Sequence, residues 1–153
     1  MRLSRCFSCL SILVAASALG WGAGAGGELA VVVHKTNTVE NVSQAQLCKL
    51  LLGQASWSSG KSASVLLQAS GPEREVVLRT VCSMSSIDFM QHFIKSGGTA
   101  PKSLSSSAAI RQLLITLPGA IGFLPAAEVT DAVRVVKLDG MAPGDSGYKL
   151  HLN

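Results

Sequence analysis

Charged and aromatic side chains are scarce in this chain. Asp, Glu, Lys and Arg make up 14% of its 153 residues, and Phe, Trp and Tyr only 5%. With no lysine or arginine cluster and few rings to stack on bases, a nucleic-acid partner has no footprint. Histidine is almost missing. His34 closes an apolar run, His92 falls in a helical pattern and His151 in the tail, and none has a second ligand at the i, i+4 or short-loop spacing that metals use. Neither a metal nor a cofactor is expected. No GxSxG elbow presents a nucleophilic serine. Cys48 and Cys82 lie inside helical patterns, away from the helix starts that activate thiols. Glu73 and Glu75 are two residues apart and point to different faces. These absences leave no catalytic constellation, so the expected function is binding and the chain is not expected to be an enzyme.

A membrane-spanning run is missing as well. The apolar stretch Leu10–Leu19 has ten residues, where a spanning helix needs roughly 20. It follows Arg2 and Arg5 and precedes the small residues 22–27, the three-part pattern of a secretory leader cut after Ala25. Cys6 and Cys9 come too early to be lipidated after cleavage. The expected organisation is a leader over 1–25, one domain over 26–140 and a flexible tail over 141–153, which carries Pro143, Gly144 and Gly147. Removing Arg2 and Arg5 from thirteen Lys and Arg leaves eleven against nine Asp and Glu, a nearly balanced surface. In an exported protein Cys48 and Cys82 could join, but two buried free thiols are the favoured reading.

What is present is a regular alternation of strands and helices. Glu28–Lys35 reads as a buried strand. Ser43 then caps a helix, with Gln46 completing a capping box, Val42 stapling against Leu47, and Gly53 ending it. Val65–Leu67 form a second strand, and Ser70-Gly71-Pro72 opens a helix with Glu73 and Glu75 in its first turn. Ser85 or Ser86 caps a third helix carrying Ile87, Met90, Phe93 and Ile94 at helical spacing. After the break 96–101, Ser105 or Ser106 caps a fourth, with Ile110, Leu113, Leu114 and Leu117 on one stripe. Strands at 120–124 and 133–138 follow. The pattern predicts an α/β sandwich with a mostly parallel sheet. Two serine-rich helix starts, Ser70-Gly71-Glu73-Arg74 and Ser105-Ser106-Ser107, are the candidate anion site, since free amides and hydroxyls there can hold negative charge. Ordinary helix capping explains the same serines.

Three segments, VVVHKTNTVENVSQAQLCKLLLGQASW, ASGPEREVVL and LPGAIGFLPAAEV, occur in the order seen in phosphate-type periplasmic substrate-binding proteins, and the chain resembles that family from about Leu29 to Gly140. The second segment is similar to the family's anion-holding turn, and the third to its "pro-gly-ala-ile-gly-tyr" strand, with Phe123 at the aromatic place. The resemblance implies a three-layer α/β/α sandwich, a single lobe of the type II binding-protein fold. It also implies a periplasmic or secreted role in transport or sensing, with phosphate or another small anion as ligand. Two features depart from the family. Leu66-Leu67-Gln68 supplies no cation where the family has an arginine, and Glu73 brings a repelling carboxylate near the place of the family's threonine. Arg74 can compensate only by turning back over the helix start. The alternative reading is an interaction module that docks on a membrane transporter or sensor component through the Trp57 loop and the Gly97-Gly98 break. A third is self-association, in which a second copy supplies the missing lobe.

Overall fold

The computed structural model describes residues 27–57, 60 and 63–152; the expected leader lies outside them. The strands are β1 (Leu29–His34), β2 (Asn41–Val42), β3 (Ser64–Gln68), β4 (Lys102–Leu104), β5 (Ala120–Pro125) and β6 (Val133–Leu138). The helices are α1 (Gln44–Leu51), α2 (Pro72–Cys82), α3 (Ser86–Ser96) and α4 (Ser107–Thr116), with a single 3-10 turn at Ala126–Glu128. They build one six-stranded sheet in the order β2-β6-β1-β5-β3-β4. Three of the five strand pairings are parallel, β2 with β6, β3 with β5 and β3 with β4. The exception is β1, which runs against both β5 and β6. Among the described residues no helix is long and apolar enough to cross a membrane.

The sheet is covered on both faces, which is why its central strands read as unbroken apolar runs. Along β1, Leu29, Val31 and Val33 face a layer built with Leu47, Leu51, Val77 and Leu78 of α1 and α2. Ala30 and Val32 face Ile110 and Leu114 of α4. The caps form where the side chains allow them. Ser43 with Gln46 and Ser85 with Asp88 make complete capping boxes, and Ser106 Oγ accepts from the Ala109 amide. The staple pair Val42 and Leu47 is buried in the same cluster.

Three expectations are corrected. Cys48 and Cys82 are joined in a disulfide between α1 and α2, with Cα atoms 5.2 Å apart, rather than being free thiols. Residues 141–152 are docked and not a loose tail: Tyr148 and Leu150 are buried, and Leu29 N donates to Leu150 O and Leu152 N to Gly27 O. The buried Tyr148 hydroxyl donates to Leu29 O at 2.5 Å, and burial, then the Glu28 charge, pushes its pKa up. Lys149 fixes the same segment to α1's edge through Gln44 and Asp139. Its hydrogen bond, then that of the Gln44 amide, holds the Asp139 carboxyl below the usual carboxylate range. Trp57 is buried, its Nε1 donating to Gly119 O at 3.0 Å, so its ring is not a docking surface. The apolar residues of α3 divide between the core and the surface. Phe89 is buried, whereas Ile87, Met90 and Ile94 are 69%, 60% and 76% exposed.

Candidate functional site

The two serine-rich helix starts meet because β3 and β4 are parallel neighbours. Gln68 pairs with Leu104, and Ala69 N donates to Leu104 O at 2.8 Å, one step beyond the strands. The chain leaves β3 at Ser70 and β4 at Ser105, so the starts of α2 and α4 lie along one edge of the sheet. Open sheets present free amides and helix dipoles at such edges. Ser70, Gly71, Ser105 and Ser106 are exposed, and Ser107 is half-buried.

The α2 start rests on glycine. Gly71 takes φ of 104°, a left-handed conformation that side chains resist, and Pro72 follows as the first helical residue. Ser70 does not cap; Gly71 is the cap residue and no side chain closes the turn. Glu73 folds back over it: a Cβ placed on Gly71 would lie 3.2 Å from Glu73 Oε2 and 3.8 Å from Gln68 Oε1. Two acceptor oxygens therefore crowd the place where an anion would approach.

Arg74 turns back toward the end of β3. Its Nη1 donates to Gln68 O at 3.0 Å, at the end of β3, and its guanidinium carbon lies 5.5 Å from the Phe89 ring centroid. The carbonyl and the ring fix the cation beside the helix start while leaving donors on the guanidinium unspent. Nothing in the sequence pairs position 74 with 68 or 89, so this anchoring was invisible before the fold. A groove of about 360 Å³ opens beside Arg74, floored by Phe89 and walled by Met90, Ile94, Pro101 and Ser103.

The α4 start is finished differently. Ser106 caps it, and its first turn holds no acidic residue. Its seat is set by Gly122 on β5, where a Cβ would meet Ile110 Cγ2 at 2.9 Å, so the helix lies directly on the strand. Arg111 Nη1 donates to Glu128 O and ties the helix to the 3-10 turn. A second hollow, about 430 Å³, lies at the opposite ends of β3 and β4 beside Ser64, Thr99 and Lys102. It faces neither helix start. Among the described residues no cluster of His, Cys, Asp and Glu has the makings of a metal site.

No protein-family model matches this chain, and no curated protein does. Solved structures do. A Clostridium perfringens protein assigned as a phosphate ABC transporter substrate-binding protein, with bound phosphate, is similar over 83% of this chain and 53% of its own, at TM-score 0.69 and 20% identity. An ABC-type phosphate transport receptor from Vibrio cholerae matches 78% of this chain and 49% of its own, at TM-score 0.63 and 22% identity. PstS from Borrelia burgdorferi matches 84% and 56%, at TM-score 0.64 and 12% identity. The chain thus spans about half the length of the structures it matches. At these identities the likeness is one of fold: the described residues have an α/β architecture shared with these structures.

Proposed function

We propose that the chain is an exported, non-catalytic solute-binding-like module that holds a small oxyanion, phosphate or a relative, at the shared edge of α2 and α4. The observation that carries this reading is the convergence of the two helix starts on neighbouring parallel strands, with Arg74 held back at the end of β3. The amides of Ser70, Gly71 and Glu73 would supply one side, and Ser105, Ser106 and Ser107 the other, with Arg74 the nearest cation. The phosphate bound in a structure of the same fold supports the choice of ligand class. Glu73 works against it, because a carboxylate over Gly71 competes for the same amides. Binding is accordingly weak, in the millimolar range, and improves when that charge is removed.

Calorimetry against phosphate, sulfate and small carboxylates tests the reading. Heat from phosphate with the native chain, larger with Glu73→Gln and smaller with Arg74→Gln, is the expected result. No heat from either the native chain or Glu73→Gln at millimolar ligand removes the anion claim. The alternative, docking on a membrane transporter or sensor component, draws on the exposed apolar face of α3. The charges beside that face fit a copy of this chain better.

A further inference from the structure

Ile87, Met90 and Ile94 occupy one stripe of α3, since residues three, four and seven apart stack on the same helix face. All three are more than half exposed, and the stripe continues into the groove walled by Met90, Ile94 and Pro101. Together they offer on the order of a few hundred Å² of contiguous apolar surface, the upper end of what monomeric proteins expose. The charges flanking the stripe identify its occupant. Asp88 and Lys95 are also seven apart and lie along one side of it, both exposed. Asp88 stays ionised, because hydrogen bonds from the Ser85 hydroxyl and amide hold its carboxyl below the usual range. When two identical helices pair antiparallel, like flanks meet, so residue 88 of one faces residue 95 of the other, twice. A parallel pair brings opposite flanks together and loses that match. Antiparallel pairing also sets the start of each α3 beside the end of its partner, the favourable order for helix dipoles.

We propose that the α3 face pairs with the same face of a second copy of this chain, antiparallel, about a two-fold axis near Gln91. Ile87 of each copy then packs beside Ile94 of the other on one side of the axis, two Asp88–Lys95 ion pairs on the other side fix the direction, and Met90 lies at the rim. Such an isologous contact closes on itself and stops at the dimer. Its small apolar area makes the dimer weak, with dissociation in the micromolar range or above. The inference stands whether or not the sheet edge takes an anion.

Sedimentation equilibrium of the purified chain from micromolar to submillimolar concentration tests it. A reversible monomer–dimer equilibrium is expected, weakened at least tenfold by Ile94→Asp with no change in the monomer's circular dichroism. Lys95→Glu and Asp88→Lys should each self-associate poorly, because each variant sets like charges opposite one another. Mixed together they should restore the dimer, since every crossing pair is then complementary. That rescue distinguishes an interface from a local effect on α3. A chain that remains monomeric at every concentration overturns the proposal. So does a dimer that Ile94→Asp leaves intact, or a mixture that associates no better than its components.

Discussion

α2 and α4 leave adjacent strands at the same edge, yet they are held and finished in opposite ways. α4 is fixed by packing, with Gly122 letting it lie on β5, and its start is closed by Ser106 with no carboxylate in the first turn. α2 is fixed covalently at its far end through Cys82, and its start is open, with no side-chain cap and Glu73 folded over Gly71. Position in the fold brings a helix start to the site, but the first-turn residues decide its charge. In the proposed site the α4 start would present donors to the anion. There Glu73 would offset the positive end of α2, and Arg74 would supply the compensating cation.

The covalent arm of that comparison breaks first. Replacing both Cys48 and Cys82 by Ser should cost about 3–4 kcal/mol for a loop closed over 34 residues, read as a lower urea midpoint. The packing arm comes next. Gly122→Val should cost about 1–3 kcal/mol, since Ile110 and Leu114 must move, and it should loosen α4 while leaving the disulfide intact. The caps then separate the two starts directly. Ser106→Ala should lose about 1 kcal/mol, whereas Ser70→Ala should leave the denaturation curve unchanged, because Ser70 caps nothing.

Smaller still is an effect of pH on the docked C-terminal segment. Asp139 has a folded pKa below its ordinary value, so the contribution from its contacts with Lys149 and Gln44 is complete above the ordinary carboxylate value of about 4 and is lost as pH falls through the depressed one. Asp139 is exposed, so the change is slight. Protection of the Leu29 and Leu152 amides, corrected for the pH dependence of intrinsic exchange, should fall in acid for the native chain and hold constant over that window in Asp139→Asn.

Much of this architecture was legible in the residues. The cap at Ser43, the caps narrowed to Ser85 or Ser86 and to Ser105 or Ser106, and the buried runs of β1, β3 and β5 are local signals, set by nearby side chains and by burial on both faces. Tertiary pairing was not legible. β2 and β4 are only two and three residues long and lie at the sheet edges, so they carry no apolar run to announce them. The reversed direction of β1 is fixed by its partners and leaves no mark in its own sequence. The glycines and proline after Gly140 suggested a loose end, but Tyr148 and Leu150 found places in a core assembled from far along the chain. Cys48 and Cys82 sit far apart in sequence, and only the packing of α1 on α2 brings them within bonding distance. At the candidate site both serine clusters could be named in advance. Their adjacency, the fold of Glu73 and the Phe89 platform under Arg74 depend on contacts between elements.

The central claim is that the two helix starts act together on one anion, and amide-resolved NMR during a phosphate titration tests it most directly. The account predicts saturable shifts at the amides of Gly71, Glu73, Ser106 and Ser107 with one shared dissociation constant, tightened by Glu73→Gln. Shifts confined to one helix start, or none at either while other amides respond, would contradict it.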